Sequence, residues 1–373
     1  MGERDRLHVA FVLGTSTGGV GRHVCSLVRG LVGRGASVAV LGPAETEEAF
    51  GFAAAGARFA PMEMGKRPRP LRDTRALVHL RRLLGRTDVV HAHGMRAAGL
   101  AALALAGTRR AIPLVVTLHN APPGGGASGA AYALLERVVI ARADAVLCVS
   151  ADLVARAHAR GARVAARALV LAPPPRPMSR DEAAVRAELD IRGRPLVLAV
   201  GRLAAQKDYP TLLDAAARWA TRAPPPLVAV VGDGPLGKSL ASRIRAESLP
   251  VRLLGSRDDV PDLLAAADVV AISSLWEGPS MVAQEALRAG CPVVATRVGG
   301  VPETVGDAAL LVPPGDAAAL ADAVARVLDD GDLRSRLASA ARERVSTLPD
   351  EDAVLDQVTG IYRDLTTGHA SRA

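Results

Sequence analysis

Short apolar runs alternate with helix-length amphipathic segments along the chain. In the first half the runs lie at HVAFVLG (8–14), SVAVLG (37–42), DVVHAHG (88–94), LVVTLHN (114–120) and AVLCVS (145–150). Nearly continuous apolar runs of this length predict strands that are buried on both faces of a sheet. The segments between them, such as GVGRHVCSLVRGLVGRG and ALVHLRRLLGR, predict the helical crossovers of a parallel sheet.

A proline-rich stretch interrupts this alternation. APPPRPMSRDE (172–182) contains four prolines, which neither a helix interior nor a central strand tolerates, so it predicts a linker. The strand pattern then restarts at PLVLAVGRL (195–203), PLVAVVGDGP (226–235), VRLLG (251–255), VVAISS (269–274), CPVVATRVGG (291–300) and AALLVPPG (308–315).

We therefore predict an α/β protein with two Rossmann-like, doubly wound domains in tandem that face each other across a cleft. The first domain covers residues 1–174 and the second covers residues 175–354. Ligands of such sheets bind beyond the carboxyl ends of the strands, and most of the unusual sequence features lie there.

The composition is that of a globular protein with few aromatic side chains. Of the 373 residues, 49% are hydrophobic, 23% charged and 2% aromatic, which argues against a disordered chain. The N-terminal stretch lacks a long signal-like apolar run, and no segment approaches the ~18 apolar residues of a membrane span. Cys25, Cys148 and Cys291 fit neither a metal spacing nor a disulfide framework. We expect a reduced, cytoplasmic protein.

The net charge of +8 is concentrated in the first half of the chain. Residues 65–86, GKRPRPLRDTRALVHLRRLLGR, hold eight basic residues and one Asp. One hypothesis is that this segment docks on an anionic membrane at the cytoplasmic face. The alternative is a solvated arginine face on a helix. We expect no nucleic-acid binding, because few aromatic side chains are available for base stacking.

A glycine-rich stretch, GTSTGGVGRHV (14–24), directly follows the first strand. Its glycines permit a tight turn and a close backbone approach, and the start of the next helix favours an anion such as phosphate. Its spacing is not G-x-G-x-x-G, and no acidic residue closes the second strand, which argues against a dinucleotide site. An ordinary βα turn remains an alternative.

Histidines lie near the ends of two predicted strands. No Cys or carboxylate joins His91, His93 and His119 at a ligand spacing, which argues against zinc. We expect His119 to hydrogen-bond a polar ligand and His91 to play a structural role in capping loops.

Two cations follow the first strand of the second domain, in GRLAAQKDYP (201–210). Arg202 and Lys207 precede a helix that is predicted to begin near Pro210, and together they suit a diphosphate. Two ordinary surface cations are the alternative. In a further turn, VVGDGP (230–235), both glycines, Gly232 and Gly234, are expected to take positive φ.

Two glutamates flank a predicted helix start in SLWEGPSMVAQEALRAGCPVV (274–294). Pro279 is predicted at the first helical position, and the helix is predicted over 280–289. Glu277 then lies in the preceding loop and Glu285 lies about one turn inside the helix. The free amides of the first turn would form a positive pole between them, at Ser280, Met281 and Val282.

This arrangement suits a particular class of ligand. Two carboxylates beside an anion site would repel a ligand that is only phosphate. They suit a sugar nucleotide, in which hydroxyl groups lie on both sides of a diphosphate. The alternative is a Glu near a helix N-terminus, favoured by the helix dipole, and a solvated Glu on the helix.

Together these blocks resemble the retaining glycosyltransferases of family 4, which have the GT-B fold. The similarity covers almost the whole chain and is carried by GGVGRHV, GRL with Lys207 five residues after Arg202, GDGP, LLG (253–255), and WEGPSMVAQEALRAGCPVVAT followed by VGGVPETV. DEDAVLDQVTGIYRDL resembles the C-terminal helix that crosses back in this fold, so residues 355–373 are assigned to the first domain.

The resemblance implies which residues act. The implied catalytic set is Glu277, His119, Arg202 and Lys207. The implied donor-binding set is Gly18, Gly19, Arg202, Lys207, Gly232, Gly234, Gly278, Ser280, Met281, Val282 and Glu285. The position after GGV often meets the acceptor in this family, so Gly21 and the neighbouring Arg22 are implied as weak acceptor contacts.

The same resemblance implies individual roles. Arg202 and Lys207 would neutralise the donor diphosphate, and Glu285 would hold the ribose hydroxyls. Glu277 would contact the transferred sugar, which His119 would touch near its 6-position. Two further roles concern loops. Gly19 would let the loop after the first strand close over the phosphates, and residues 253–257 would frame the base.

The implied activity is retaining sugar transfer from a nucleotide-diphosphate sugar, with UDP favoured and GDP as an alternative, without a metal ion or cofactor. The acceptor is not identified. Candidates are a lipid-linked molecule, a cell-envelope precursor and a secondary-metabolite precursor. The alternatives are a non-catalytic nucleotide-sugar-binding protein and a sugar-nucleotide epimerase on the same fold. A phosphorylase would need a cofactor lysine late in the chain, and no lysine follows Lys238.

Overall fold

The computed structural model describes residues 6–16, 18–64, 70–106, 111–122, 126–174, 176–191 and 193–370. They form two compact units, one from the described part of 1–173 and 349–373 and one from the described part of 174–348. The first boundary falls within the proline-rich stretch. The second falls at Pro349, a few residues before the predicted return at 355, because a helix of the first unit begins there.

The first unit alternates strands and helices. Its elements before the linker are β1 His8–Leu13, α1 Gly19–Gly33, β2 Ser37–Gly42, α2 Ala44–Phe50, β3 Arg58–Pro61, α3 Pro70–Leu83, β4 Val89–His93, α4 Met95–Leu105, β5 Leu114–Leu118, α5 Ala127–Arg142, β6 Ala145–Cys148, α6 Ala151–Ala159 and β7 Ala165–Arg167.

All strand pairs of the first sheet are parallel, and the strand order is β3-β2-β1-β4-β5-β6-β7. The chain reverses its direction of travel across the sheet between β1 and β4. Every residue of β4, β5 and β6 is buried, as their continuous apolar runs predict. In a doubly wound sheet, the reversal point marks where ligands bind.

The second unit repeats this organisation. Its elements are α7 Glu182–Glu188, β8 Leu196–Val200, α8 Tyr209–Trp219, β9 Leu227–Val231, α9 Gly237–Ala246, β10 Val251–Gly255, α10 Val260–Ala266, β11 Val269–Ile272, α11 Met281–Arg288, β12 Val293–Thr296, α12 Val301–Val305, β13 Ala309–Val312, α13 Ala317–Asp329 and α14 Gly331–Ser346.

The second sheet is also parallel, with the order β10-β9-β8-β11-β12-β13 and its reversal between β8 and β11. Alternate residues of β8 pack into two different apolar clusters. Val197 and Ala199 join the cluster that contains Trp219, while Leu196 and Leu198 join the other. Helices thus cover both faces, which is why the strands read as unbroken apolar runs.

The C-terminal helix α15, Glu351–Ala370, belongs to the first unit and packs against α1. Arg34, the C-cap of α1, donates hydrogen bonds to Asp352 and Asp356, at 2.8 and 2.5 Å. Gly30 permits close packing, because a Cβ there would lie 2.3 Å from a methyl carbon of Leu355. The predicted return of the C-terminal helix to the first domain is confirmed.

The three cysteines are free and buried. Burial raises the pKa of the Cys148 and Cys291 thiols to about 12, so neither is a reactive thiolate near neutral pH. Among the described helices, none combines the length and apolar character that a membrane crossing needs.

Candidate functional site

The loops after β8 and β11 lie side by side, because the chain reverses its direction across the second sheet between these two strands. The loop after β8 carries Arg202 and a short 3-10 turn, Ala205–Lys207. The loop after β11 carries Glu277 and leads into α11. The topology therefore brings the predicted cations and the first glutamate to one edge of the sheet.

Lys207 and Glu277 form an ion pair. The distance from Lys207 Nζ to Glu277 Oε1 is 2.5 Å, and the Ser274 hydroxyl donates to the same oxygen at 2.6 Å. The two charged side chains are 22% and 10% exposed, so the pair is largely shielded from water. A phosphate that binds Lys207 must therefore compete with, or add to, the carboxylate of Glu277.

Backbone and side-chain hydrogen bonds hold the two loops together. Leu275 N donates to Gln206 O at 2.8 Å, and the Gln206 amide donates to Trp276 O at 2.7 Å. The Ser273 hydroxyl donates to Lys207 O at 2.8 Å. These contacts fix Lys207 and its partner loop as one structure before any ligand binds.

Gly201 lets the Lys207 side chain pass close to the backbone. A Cβ on Gly201 would lie 3.0 Å from Lys207 Cε, and its φ is +156°. The Tyr209 hydroxyl donates to Gly201 O at 2.9 Å. Burial and the nearby Glu277 charge raise the pKa of Tyr209, so this hydroxyl stays protonated. Arg202, the next residue, is exposed and leaves its charge at the surface of the loop.

The turn with Gly232 and Gly234 packs directly on this loop. A Cβ on Gly232 would lie 2.1 Å from Gly201 O, and one on Gly234 would lie 2.4 Å from Leu203 O. Gly232 has the predicted positive φ, at +132°. The prediction of a positive φ was wrong for Gly234. A glycine is needed there because a side chain would collide with the Leu203 backbone.

The end of β10, in the region expected to frame the base, joins the same turn. Gly232 N donates to Gly255 O at 2.7 Å. Ser256 N donates to the Asp233 carboxylate at 2.9 Å. The predicted 253–257 region is therefore held beside the predicted diphosphate loop.

Helix α11 begins one residue later than predicted. Ser280 is its N-cap, and the Ser280 hydroxyl accepts a hydrogen bond from Ala283 N at 3.3 Å. Pro279 therefore precedes the N-cap, and the prediction that it is the first helical residue was wrong. The reason is that serine is a favoured N-cap residue. The amides of Met281 and Val282 belong to the first turn, which has no intrahelical acceptor for them, whereas the Ser280 amide precedes the helix.

A glycine pair after β12 supports the Glu277 loop. Gly300 N donates to Glu277 O at 3.0 Å. Gly299 has a φ of +48°, and a Cβ there would lie 1.9 Å from Glu277 O. The sequence pattern VGGVPETV contains these glycines, but sequence reasoning assigned them no role at the site. A tandem glycine shortly after a predicted strand was the available signal.

Glu285 lies half-buried in the second turn of α11. Arg288 lies one turn further on; burial lowers the pKa of Arg288, and the Glu285 charge opposes that effect. Gly278 is half-buried in the loop between Glu277 and the helix. Both glutamates thus flank the start of α11, as predicted from their spacing.

In the first unit, the glycine-rich stretch forms the loop after β1. Gly18 is exposed, and no heavy atom lies within 4 Å of a Cβ built there. Gly19 is the first residue of α1. Gly21 is buried beneath the Phe50 ring, because a Cβ would lie 2.0 Å from a ring carbon. Of the two expected acceptor contacts, therefore, only Arg22 is exposed.

The histidines predicted near strand ends lie together in the first unit. His93 Nδ1 lies 2.9 Å from His119 Nε2. His91 is structural but caps no loop: its ring nitrogens bond the Tyr362 hydroxyl at 2.6 Å and the Thr117 hydroxyl at 2.7 Å. His91 lies inside β4 and faces α15, so its ring bonds side chains of neighbouring elements rather than a loop.

Sequence reasoning missed a fourth member of the cluster, His23 of α1. Its ring centroid lies 5.9 Å from those of both His93 and His119. Burial lowers the pKa of His23 to about 4 and that of His91 to about 3. In the part of the chain that the structure describes, no three His, Cys, Asp or Glu side chains are grouped as metal ligands.

Comparison with family models divides the chain as the fold does. Residues 18–175 match the model described as "Glycosyl transferase 4-like domain", and residues 181–344 match the one described as "Glycosyl transferases group 1".

Curated relatives carry related names. The D-inositol 3-phosphate glycosyltransferase of Saccharomonospora viridis is 35% identical over 314 residues, which are 75% of this chain and 70% of that one. The alpha-D-kanosaminyltransferase of Streptomyces kanamyceticus is 34% identical over 195 residues, 50% of each chain. The 2-deoxystreptamine N-acetyl-D-glucosaminyltransferase of Streptomyces fradiae is 36% identical over 176 residues. The chain spans 50% and 42% of the length of these last two relatives.

Solved structures share the fold over almost the entire chain. Anabaena Alr3699/HepE, solved in complex with UDP-glucose, superposes with a TM-score of 0.80 at 23% identity, covering 96% of this chain and 100% of that one. WaaG, a glycosyltransferase involved in lipopolysaccharide biosynthesis, superposes with a TM-score of 0.73 at 19% identity, covering 95% and 99%. The predicted GT-B fold is confirmed.

Proposed function

The chain belongs to the group 1 glycosyl transferases, and from that premise we propose that it transfers a sugar from a nucleotide-diphosphate sugar to a hydroxyl group of an acceptor. The observation that carries the proposal is the meeting of Lys207, Glu277 and the start of α11 at the β8/β11 edge, with Arg202 exposed on the same loop as Lys207. Cations, amides and carboxylates there match the phosphates and hydroxyls of such a donor.

The main chemical task is to stabilise charge on the departing nucleoside diphosphate. Arg202 and Lys207 carry positive charge on the loop after β8, and the amides of Met281 and Val282 add the positive end of a helix. Lys207 and the start of α11 are held by hydrogen bonds before the donor binds. Preorganised donors of this kind lower the barrier because they need little rearrangement during the reaction.

We propose retention of configuration without a protein nucleophile. The Glu277 carboxylate oxygen Oε1 already accepts hydrogen bonds from Lys207 and Ser274, and these bonds lower its nucleophilicity toward a sugar carbon. Glu277 instead orients the sugar, and Glu285 binds the ribose hydroxyls. The charge on the leaving diphosphate is met by Arg202 and Lys207, so the proposed reaction needs no metal ion or other cofactor.

UDP is the proposed nucleotide, and GDP is the alternative. Support comes from Alr3699/HepE, which has been solved with UDP and with UDP-glucose. The β10 end, held beside the glycine turn by the hydrogen bond from Gly232 to Gly255, is the proposed base-binding region.

The proposed acceptor is a small ring-shaped polyol that serves as a precursor of a secondary metabolite or of the cell envelope. Two relatives are named for D-inositol 3-phosphate and 2-deoxystreptamine, which share a six-membered carbon ring with several hydroxyl groups. A lipid-linked acceptor is the alternative, and the exposed Arg22 suits a phosphate on either kind of molecule.

The test is release of UDP from UDP-glucose, measured in EDTA with and without D-inositol 3-phosphate or 2-deoxystreptamine. Acceptor-dependent release, with the new glycoside and its anomeric configuration read by NMR, is the expected result. Lys207→Met should abolish release, whereas Arg342→Met, at an exposed position of α14, should retain it. Binding of UDP-glucose without turnover would favour the binding protein, and interconversion of the sugar nucleotide without acceptor would favour the epimerase.

A membrane-docking role is proposed for the basic segment 65–86, of which residues 65–69 lie outside the described residues. Arg82 and Arg86 are exposed, as is Val78 at 41%. Arg81 is not available for lipid, because its guanidinium bonds the carbonyl groups at the end of α4.

Helix α4, which packs against α3, adds apolar surface to this proposal, since Leu103 is 52% exposed. Co-sedimentation with anionic and neutral liposomes tests it. Binding should be selective for anionic lipid and should fall in Arg82→Glu/Arg86→Glu, but not in Arg342→Glu. Equal binding to both lipids, or binding to neither, would refute membrane docking and favour the alternative, a solvated arginine face on a helix.

A further inference from the structure

Four imidazole rings pack together at the carboxyl end of the first sheet. The His91 and His93 ring centroids lie 4.3 Å apart, and those of His93 and His119 lie 5.2 Å apart with an angle of 25° between the ring planes. His23 meets His93 and His119 edge-on. His23, His91 and His93 are buried, whereas His119 at the end of β5 is half-buried. His119 is therefore the member of the cluster that can reach a ligand.

His93 is held at one nitrogen and leaves the other unbonded. Its Nδ1 lies 2.9 Å from His119 Nε2. Its Nε2 is buried and has no hydrogen-bond partner in the part of the chain that the structure describes. Both rings are neutral near pH 7, because burial holds the pKa of each well below 6.5. Each ring therefore carries a single N–H.

The unbonded nitrogen decides which ring donates. If His93 carried its proton on Nε2, a buried N–H would have no acceptor, which is rare and costly in folded proteins. The proton therefore lies on His93 Nδ1, which donates to His119 Nε2. His119 Nε2 then acts as the acceptor, so the single proton of His119 lies on its Nδ1.

We propose that His93 is a positioning residue that holds His119 as the Nδ1–H tautomer with a fixed ring, so that His119 offers an N–H donor to a sugar oxygen bound at the carboxyl end of the first sheet. This inference rests on the proposed sugar-transfer function. His119 acts by hydrogen bonding and transfers no proton, because its other nitrogen is occupied by His93.

The surroundings of His93 prevent its ring from turning. His91 lies against it, and both nitrogens of His91 are themselves bonded, to Tyr362 of α15 and to Thr117 of β5. The Phe11 ring centroid lies 5.5 Å away on β1. The C-terminal helix thus supports the orientation of His119 through two histidines.

The tautomer can be measured without any activity. In protein labelled with ¹⁵N-histidine, long-range ¹H–¹⁵N correlation at pH 7.5 distinguishes protonated from unprotonated ring nitrogens, and His119→Gln assigns the His119 signals. Unprotonated Nε2 and protonated Nδ1 are expected for His119. A protonated Nε2, or equal populations of the two tautomers, would overturn the proposal.

Two substitutions separate positioning from packing. His93→Asn keeps an amide N–H near the place of Nδ1, whereas His93→Leu keeps bulk but removes the donor. The Leu variant should mix the His119 tautomers and lower kcat about tenfold with KM within twofold, and the Asn variant should restore both readouts. His158→Leu, at an exposed position of α6, is the control and should change neither.

The outcomes also separate this inference from the proposed function. An unchanged His119 tautomer and an unchanged kcat in His93→Leu would refute the positioning role. If the expected tautomer is found but the protein transfers no sugar, the His93–His119 hydrogen bond is confirmed and the proposed sugar transfer is refuted. If His93→Leu does not fold, the wild-type spectrum and His93→Asn still decide the tautomer.

Discussion

Replacing Gly299 by alanine tests whether the glycine pair after β12 holds the Glu277 loop. Gly299 has a φ of +48°, and a Cβ there would lie 1.9 Å from Glu277 O and 3.0 Å from Trp276 Nε1. The nearest atom belongs to the backbone, so no side-chain rotation can relieve the contact. The loop that carries Glu277 must shift instead.

Two costs add in Gly299→Ala. Left-handed backbone costs a residue with a Cβ about 1–2 kcal/mol. Forcing an extra carbon into a packed site costs about 1–3 kcal/mol more. The expected loss is therefore about 2–5 kcal/mol, a large part of the ~5–15 kcal/mol that stabilises a typical protein.

Gly290→Ala is a matched control in the same unit. Gly290 also has a positive φ, at +69°, but nothing lies within 4 Å of a Cβ built there. It therefore carries the backbone cost without the contact. Urea unfolding of both variants gives the stability difference, and UDP-glucose titration at a temperature where both are folded gives the effect on the site.

We expect Gly299→Ala to be less stable than Gly290→Ala by about 1–3 kcal/mol and to bind UDP-glucose more weakly, while Gly290→Ala binds it as the wild type does. Equal stability losses, with donor binding unchanged in both variants, would refute the supporting role of Gly299.

Two further predictions concern buried ionisable side chains. Lys207→Met should destabilise the protein by about 3 kcal/mol, because it leaves the Glu277 carboxylate buried without its cation, and Lys207→Met/Glu277→Gln should recover part of that loss in urea unfolding; additive losses would show that the pair is not coupled. For His23, burial lowers the pKa to about 4. Below pH 6.5 the unfolded chain takes up a proton that the folded chain does not, so its contribution to stability falls as pH drops, by about 2 kcal/mol from pH 7 to pH 5. His23→Gln should remove that part of the slope in urea unfolding at the two pH values, and an unchanged slope would show that His23 is not the group responsible.

The sequence pattern predicted every strand that pairs with a neighbouring strand on both sides. It also predicted the two edge strands of the second sheet, β10 and β13, because each lies in a largely apolar run. Two short strands were missed, β3 and β7, which have four and three residues. Both lie at the edges of the first sheet. An edge strand has one pairing neighbour, so polar residues such as Arg58 and Arg167 are tolerated there and break the apolar signal.

The chemical groups of the site were predictable, but their pairing was not. Arg202, Lys207 and Glu277 follow strand ends, which the alternating pattern locates. The Lys207–Glu277 ion pair joins residues 70 positions apart, and the His93–His119 hydrogen bond joins residues 26 positions apart. Such contacts depend on the order of strands in the sheet, which apolar periodicity does not encode.

The central claim, a nucleotide-sugar site at the β8/β11 edge, is tested most directly by thermal shifts with UDP, GDP, ADP and TDP in EDTA. A ligand at 100 times its Kd stabilises the native state by about 2.7 kcal/mol. We predict a selective shift with UDP that is lost in Glu285→Ala and kept in Glu343→Ala, an exposed position of α14. No shift with any nucleotide, or an undiminished shift in Glu285→Ala, would contradict it.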